Sequence, residues 1–347
     1  MFVVIKVENL TDIEWRQRIK DDGAILLDVD DTLLARNAAG RKDEVFGENT
    51  AINLLPRLLE AGFRVGLITG HGWKQLKTRL ADPLLDFLRE RSIDLTVLKN
   101  LFVYTNQGAT KIQWSGRGWS LDSKYNALYA ISATHLNSLK NLLIFHASQF
   151  NADYQASKDY YKQNFPTFDF NKLPATVQNR ESAVLNVRPL PSEHHKSKDG
   201  KMDVPRNVVK VRVEGEIEKL GLAEIYKICQ SGLSSLDLVD RKVSKTIAVR
   251  SILSELGVRA SKEIREIEKA VIYIGDEFTP SGNDYCVAVN FPFIKCFSVA
   301  SAQSSTKNEL QNVIQFAELK GTSGTRATSE ILEFFLDSVP HKPEHIH

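Results

Sequence analysis

The stretch GAILLDVDDTLL, residues 23–34, organises the rest of the chain. Ala24 to Leu27 is a continuous apolar run, which is typical of a strand buried on both faces of a sheet. Asp28 and Asp30 follow directly, at the strand end where open α/β sheets bind their ligands. Two carboxylates this close repel each other unless a cation or a proton is shared between them. Taken alone, the stretch leaves two alternatives open, a divalent-metal loop and an ordinary acidic turn.

Composition narrows the class of protein. The chain has 347 residues, 42% of them hydrophobic, with a formal net charge of +2. This length favours two domains, and the small charge disfavours a general nucleic-acid binder. Three cysteines without ligand-like spacing indicate a reducing compartment. No signal peptide and no bilayer-spanning window of roughly 20 apolar residues is recognised. We expect a soluble cytoplasmic protein without nucleic-acid or membrane partners, and the sequence makes no prediction of its oligomeric state.

Strands and helices alternate on either side of a long central segment, which indicates a parallel sheet. A capping box of Thr11 and Glu14 begins the first helix, after a short predicted strand. Polar loop character is predicted for residues 35–48, and a frayed tail for residues 340–347. The other predicted elements of this α/β part are helices over about 50–61, 73–80, 84–91, 246–256 and 329–336 and strands over 24–27, 63–68, 101–104, 270–274, 286–289 and 296–299.

The central segment breaks this alternation. Strands are predicted over residues 183–187, 208–213 and 236–239, with a helix over about 221–230. Strands clustered with helices indicate a separate α+β module. We therefore predict an α/β core domain of residues 1–118 and 241–347, interrupted by an inserted α+β domain of residues 119–240.

Four polar motifs occur in the α/β part, each at a strand end or a helix start. They are Asp28-Val-Asp30-Asp31-Thr32, Thr69-Gly70, Lys245, and Gly275-Asp276 with Asn283-Asp284. Each motif is weak alone, but the four in this order resemble the haloacid dehalogenase-like hydrolase superfamily. The resemblance implies a Rossmann-like parallel-sheet core, and the insertion between the second and third motifs resembles a type-2 (C2) cap, which carries substrate specificity.

The resemblance implies phosphoryl transfer through a transient acyl phosphate on Asp28. Asp30 would be the general acid and then the general base. Thr69 and Gly70 would bind the phosphoryl group, and Lys245 would offset the negative charge. Asp31 is interpreted as a turn residue.

A magnesium ion is the cofactor that the resemblance implies. Mg²⁺ would be held by Asp28, the backbone carbonyl of Asp30 and Asp276, because hard oxygen ligands suit this ion. Asp284 could ligate the metal, directly or through water, or orient Lys245. The orienting role behind the ligands is the preferred interpretation, and Asn283 would lie beside it there.

Two further assignments keep alternatives. Lys242 precedes Lys245 by three residues and is the other candidate for the motif lysine; Lys245 is favoured because it opens a predicted helix. His71 could contact substrate, but a solvated loop residue is the preferred interpretation.

The fourth motif also indicates a branch of the superfamily. GDEFTPSGNDY, residues 275–285, is longer than in most type-2-capped phosphatases and resembles the loop of eukaryotic-type phosphomannomutases. NRESAVLNVRP, residues 179–189, resembles a cap segment of the same family, which implies that Arg180 and Asn186 face the substrate phosphate. The match then fails, because Leu190-Pro191 stands where the mutases have Gly-Arg. Trehalose-phosphate and sucrose-phosphate phosphatases share the same architecture.

We therefore expect a Mg²⁺-dependent phosphatase that hydrolyses a small phosphorylated metabolite through an aspartyl-phosphate intermediate, with a sugar phosphate as the expected substrate class. The alternative is a phosphomannomutase-like sugar-phosphate mutase. A non-catalytic binding protein on the same fold is disfavoured because all four motifs are present.

Overall fold

The computed structural model describes residues 11–35, 45–46, 50–197, 203–280, 282–301, 310–316 and 320–337. The strand predicted before Thr11, most of the polar loop at 35–48 and the tail at 340–347 lie outside these residues. The chain divides into two compact units, one of Met1–Asp122 with Ser244–His347 and one of Ser123–Val243.

The strands in chain order are β1 (Ala24–Leu27), β2 (Val65–Ile68), β3 (Leu101–Thr105), β4 (Thr110–Trp114), β5 (Trp119–Leu121), β6 (Thr176–Arg180), β7 (Val184–Arg188), β8 (Tyr226–Ser231), β9 (Ser235–Asp240), β10 (Val271–Gly275), β11 (Lys295–Ser298) and β12 (Val313–Gln315).

The α-helices in chain order are α1 (Asp12–Asp22), α2 (Thr50–Glu60), α3 (Trp73–Leu76), α4 (Asp82–Glu90), α5 (Ser123–Ala127), α6 (Ala133–Ala156), α7 (Lys158–Asn164), α8 (Pro205–Lys219), α9 (Lys245–Ala260), α10 (Ile264–Glu268), α11 (Tyr285–Asn290) and α12 (Gly324–Leu336). A π-helical turn, Lys77–Ala81, joins α3 to α4. None of the described helices is long and apolar enough to span a bilayer.

The larger unit is built on an eight-stranded sheet in the order β12-β11-β10-β1-β2-β3-β4-β5. The pairs from β12 to β3 are parallel, and β4 and β5 add an antiparallel edge. Because β1 lies between β10 and β2, the ends of these three strands are neighbours. The predicted α/β fold class, with a parallel-sheet core and an inserted α+β unit, is confirmed.

The central strand β1 is fully buried, as its apolar run predicts. Gly23 precedes it at a very close approach to the neighbouring chain, where a Cβ atom would lie 1.6 Å from the Ala270 carbonyl oxygen. The capping box of Thr11 and Glu14 is present at the start of α1. Helix α2 ends where Gly62 adopts a φ of +87°, the left-handed conformation that glycine tolerates best.

The smaller unit contains an antiparallel sheet in the order β6-β7-β9-β8. Helices α6 and α8 pack against each other and against this sheet. Their shared core includes Leu139 and Leu143 of α6, Val213 of α8 and Leu185 and Leu238 of the sheet. The unit is therefore a two-layer α+β structure with its own core.

Two predicted elements of the smaller unit are wrong in type. Residues 208–213 are helical within α8, although their β-branched side chains suit a strand. Val209, Val213 and Ile217 are the buried aliphatic side chains of this helix, with the four-residue spacing of a helix face. Residues 226–230, predicted as the end of a helix, belong to β8.

In the larger unit, the predicted strand at 286–289 belongs to α11. A short apolar run does not distinguish a strand from a helix. Helix α9 also continues through Gly257 and ends at Ser261, which adopts a φ of +53°.

Candidate active site

Two motif residues continue the hydrogen bonding of the parallel sheet beyond the strand ends. The Asp28 backbone N–H, just after β1, donates to the Ile274 carbonyl of β10 at 2.9 Å. The Thr69 N–H, just after β2, donates to the Tyr104 carbonyl of β3 at 3.0 Å. Their backbones are therefore fixed by the sheet itself.

Lys245, the first residue of α9, joins two motif carboxylates. Its Nζ lies 2.8 Å from Asp28 Oδ1 and 2.6 Å from Asp284 Oδ1, and its side chain is fully buried. Burial alone would lower the pKa of Lys245, but the two carboxylates outweigh burial and raise that pKa above the ordinary lysine range. Of the two lysines considered from the sequence, Lys242 is exposed in the turn before α9, so Lys245 is the one beside these carboxylates.

Asp284 is held on both of its oxygens. Tyr273 of β10 donates its hydroxyl to Asp284 Oδ1 at 2.5 Å, beside the bond from Lys245. The Glu277 backbone N–H donates to Asp284 Oδ2 at 3.0 Å. These three donors fix the carboxylate and the lysine that it contacts, which fits the supporting role predicted for Asp284. Asn283 lies beside it, with its backbone N–H 3.4 Å from a Glu277 carboxylate oxygen.

Asp28, Asp276 and Asp284 form an acidic cluster. One carboxylate oxygen of each lies within 4.8 Å of the others. Burial, opposed by Lys245 and reinforced by the charges of Asp284 and Asp30, raises the pKa of Asp28 to about 7. Burial together with the charges of Asp28 and Asp284 raises the pKa of Asp276 to about 9. The cluster carries more negative charge than Lys245 balances.

This donor set fits a hard divalent cation. All the side-chain donors are carboxylate oxygens, which Mg²⁺ prefers. The three donors to Asp284 leave Asp28 and Asp276 as the better-placed ligands. A cavity of about 440 Å³ adjoins Asp276 and is also lined by Asp31 and Ser301. It provides room for the waters that a bound magnesium ion retains.

Asp30 has a different environment from Asp28. His71 Nε2 lies 2.8 Å from Asp30 Oδ2, and an Arg79 guanidinium nitrogen lies 2.8 Å from Asp30 Oδ1. Burial alone would raise the pKa of Asp30, but the hydrogen bonds and charges of His71 and Arg79 lower it to about 2. The two motif aspartates therefore differ in their affinity for a proton, and without a bound ion or phosphoryl group Asp30 is the more acidic of the two.

The loop after β2 links this pair to Thr69. Thr69 is buried, and its Oγ1 accepts a hydrogen bond from the His71 backbone N–H at 3.1 Å. Because the oxygen accepts here, the hydroxyl hydrogen can be donated to a phosphoryl oxygen. The Gln107 N–H donates to the Thr69 carbonyl, and the Asn106 N–H to the His71 carbonyl. Gly70 is half-buried between these anchored residues.

The remaining predicted site residues, Arg180 and Asn186, lie in the smaller unit. Asn186 of β7 is fully buried, and its Nδ2 donates to Asp237 Oδ1 at 2.6 Å and to the Leu236 carbonyl at 3.3 Å. An Arg180 guanidinium nitrogen lies 3.8 Å from Asp237 Oδ2. Within this unit, both residues are thus organised around the buried Asp237.

Three residues of the site were not predicted from the sequence. His71 was interpreted as a solvated loop residue, yet its ring contacts Asp30. Arg79 and Tyr273 carried no motif signal. The one available cue was a tyrosine inside the otherwise apolar run of β10, where a buried hydroxyl requires a partner.

Sequence comparison finds no match, whereas structural comparison finds similar folds. No family model and no curated protein matches the sequence. An ATP-bound IMP-nucleotidase from Plasmodium falciparum is similar with a TM-score of 0.56 at 14% identity, over 98% of this chain and 68% of that chain. The C-terminal domain of a C. albicans trehalose-6-phosphate phosphatase gives a TM-score of 0.55 at 13% identity, over 94% and 98% of the two chains. An Aspergillus fumigatus trehalose-6-phosphate phosphatase gives 0.50 at 10% identity, over 95% and 98%.

These solved structures are a nucleotidase and two phosphatases. At such low identity the similarity establishes the fold, and it is the fold that the four sequence motifs implied.

Proposed function

We propose that this chain, which has the haloacid dehalogenase-like fold, is a Mg²⁺-dependent phosphatase that hydrolyses a small phosphate monoester through a phosphorylated Asp28. The observation that carries the proposal is the buried Lys245, which contacts Asp28 and Asp284 beside the third carboxylate of Asp276. Burying one cation with three carboxylates costs free energy unless the excess negative charge is neutralised at that place. Perturbed pKa values of this kind cluster at functional sites.

In the proposed first step, Asp28 attacks the phosphorus atom and the alcohol leaves with a proton from Asp30. Thr69 donates its hydroxyl hydrogen to a phosphoryl oxygen, and Gly70 leaves the loop open beside it. Bound Mg²⁺, held by Asp28, Asp276 and the Asp30 carbonyl, would neutralise charge on the phosphoryl oxygens. Lys245 balances the carboxylate of the nucleophile.

In the proposed second step, water attacks the phosphorus of phospho-Asp28, and Asp30 removes a proton from that water. Asp30 is suited to this step because its low pKa keeps it ionised in the resting site. When phosphate leaves, that proton returns to solvent, because Asp30 is ionised in the resting site. Negative charge on the next bound phosphoryl group raises the pKa of Asp30, so that Asp30 takes up a proton from solvent before the next alcohol leaves.

The substrate class is proposed by analogy with the similar structures. Their names identify IMP and trehalose 6-phosphate as substrates, and both compounds are phosphate monoesters of a sugar hydroxyl. A phosphorylated sugar or sugar-containing metabolite is therefore the class to test first. The type-2 cap and the substrate contacts of Arg180 and Asn186 are part of this proposal.

Release of inorganic phosphate from a panel of sugar phosphates, nucleotides and small phosphoesters tests the proposal. We expect Mg²⁺-dependent release that EDTA abolishes and that Asp28→Asn eliminates. Asp31→Asn is the matched control, because it removes a carboxylate from the same loop and Asn tolerates the φ of +56° at that position. Activity of Asp28→Asn equal to that of the wild type would exclude Asp28 as the nucleophile. Conversion of a sugar phosphate to its isomer without phosphate release would favour the mutase instead.

A further inference from the structure

The carboxylate of Asp30 is contacted on both oxygens by residues that the four motifs do not include. Arg79 contacts Oδ1, and His71 contacts Oδ2, each at 2.8 Å. A carboxylate bound through both oxygens by donors from two directions has one orientation. We propose that Arg79, with His71, is a positioning residue that aims Asp30 at the leaving-group oxygen; this inference rests on the proposed function.

The placement of Arg79 supports a dedicated role. It lies in the π-helical turn Lys77–Ala81, where the Asp82 N–H bonds to the Lys77 carbonyl. Single π-helical turns occur frequently at functional sites. Lys77 and Thr78 of this turn are exposed, whereas the Arg79 side chain is only 10% exposed and points to Asp30. A second guanidinium nitrogen reaches the Ala35 carbonyl at 3.5 Å, so Arg79 joins both sides of the acidic loop.

His71 makes the second contact with Asp30 and connects it to the loop after β2 that contains Thr69. Its backbone N–H bonds to Thr69 Oγ1, and its carbonyl accepts from the Asn106 N–H. Both ends of the residue are therefore fixed while its ring holds Asp30. The position of the proton-transfer group is thereby coupled to the position of the residue proposed to bind the phosphoryl group.

Proton transfer demands accurate placement, because donor and acceptor must lie within hydrogen-bonding reach. The need for it depends on the leaving group. A sugar alkoxide is a strong base and must be protonated as it departs, whereas p-nitrophenolate is a stable anion and departs without a proton. The value of kcat/KM reports only steps up to departure of the alcohol. A lost orientation of Asp30 must therefore lower kcat/KM for a sugar phosphate much more than for p-nitrophenyl phosphate.

The test measures kcat/KM for both substrates, with Mg²⁺, in the full chain. For Arg79→Gln we expect a loss of about 100-fold on the sugar phosphate, within the range of general acid catalysis, and a loss of no more than about 3-fold on p-nitrophenyl phosphate. Arg79→Lys, which retains the charge, should recover part of the loss. The matched control is Arg89→Gln on α4, whose guanidinium is exposed and pairs weakly with Asp86 at 3.7 Å; it should leave both values unchanged.

A double variant separates positioning from general damage to the site. If Arg79 acts through Asp30, Asp30→Asn should show the same substrate selectivity, and adding Arg79→Gln should cause little further loss. Equal losses on both substrates, or additive losses in the double variant, would overturn the inference. Should Arg79→Gln not fold, His71→Asn carries the same test, because His71 is half-exposed and its removal spares the core.

Failure of the inference can be distinguished from failure of the proposed function. Wild-type protein that releases no phosphate from either substrate contradicts the proposed function. Wild-type protein that hydrolyses both, with variants that lose both activities equally, contradicts only the role of Arg79 and His71.

Discussion

The ammonium nitrogen of Lys245 lies 2.6 Å from Asp284 Oδ1, and neither side chain is exposed to solvent. The same nitrogen lies 2.8 Å from Asp28 Oδ1. One buried cation thus serves two buried carboxylates, and Tyr273 adds a fourth polar group to the network. Removing Lys245 leaves two buried carboxylates without their cation, so this residue affects folding as well as chemistry.

Lys245→Ala should abolish phosphate release and lower the free energy of unfolding by about 3–5 kcal/mol, because it leaves buried carboxylates unpaired. Lys242→Ala should change that free energy by no more than about 0.5 kcal/mol, as is usual for an exposed side chain. Urea unfolding with a chelator present measures both. Similar effects from the two substitutions would contradict the assignment of Lys245 as the motif lysine.

Asp276→Asn should raise the melting temperature of the metal-free protein while removing its stabilisation by Mg²⁺. Burial and the charge of Asp28 raise the folded pKa of Asp276 to about 9, from an ordinary value of 3.8. The free energy of unfolding therefore falls as the pH rises between these two values, because the folded state keeps a proton on Asp276 that the unfolded state has released. Asparagine resembles the protonated form at every pH.

The gain in melting temperature should accordingly grow as the pH is raised through this window, and calorimetry in EDTA can follow it. Addition of Mg²⁺ should raise the melting temperature of the wild type by mass action and leave that of the variant almost unchanged. A variant that Mg²⁺ still stabilises to the wild-type extent would exclude Asp276 as a ligand.

Tyr273→Phe removes one hydroxyl and keeps the ring in place. The hydroxyl donates to the carboxylate of Asp284. We therefore expect the free energy of unfolding, measured in urea, to fall by about 1.5–3 kcal/mol, the range for hydrogen bonds to charged groups. Tyr104→Phe is the control, because Tyr104 is equally buried and donates to the neutral Ser251 hydroxyl at 2.9 Å. Tyr104→Phe should lower the free energy of unfolding by about 0.5–1.5 kcal/mol. Equal decreases for the two variants would show that the hydrogen bond from Tyr273 contributes no more stability than a bond between neutral groups.

Asn186 should prove sensitive to charge. Asn186→Asp places a second carboxylate beside the buried Asp237, whereas Asn186→Ala only removes a donor. We expect the alanine substitution to lower the free energy of unfolding by about 1–3 kcal/mol. The aspartate substitution should lower it further at a pH where both carboxyl groups are ionised. Asn207→Asp, at an exposed position of α8, is the control and should be nearly neutral. Thermal unfolding of the full chain at two pH values makes the comparison, and an aspartate variant as stable as the alanine variant would contradict it.

The parts of the fold that sequence patterns predicted correctly are those with local signals. Ala24 to Leu27 is apolar without interruption and ends in acids, so both the strand and its functional end are visible in one window. The segment 208–213 carries conflicting signals, because its β-branched residues favour a strand while Val209 and Val213 repeat with a helix period. Tertiary packing against the sheet of the smaller unit decides this conflict, and no short window contains that information.

The candidate site divides in the same way. Asp28, Thr69, Lys245 and Asp276 occupy strand ends or a helix start, where spacing along the chain is informative. Arg79 lies well beyond the motif of its strand, and its contact with Asp30 depends on the π-helical turn that precedes α4. Such a contact is a property of three-dimensional register, so a single sequence does not reveal it.

The central strand β1 takes its two neighbours from opposite sides of the inserted unit, with Ile25 aligned to Val65 on one edge and to Ile272 on the other. During synthesis, β1 can therefore pair with β2 early, while its other edge stays open until the ribosome has made the whole insertion and then β10. An open strand edge is a template for pairing with other chains, and pairing between distant segments forms slowly. The nascent protein thus depends on the insertion folding promptly on its own, and a chain truncated before β10 would expose the edge of its most hydrophobic strand.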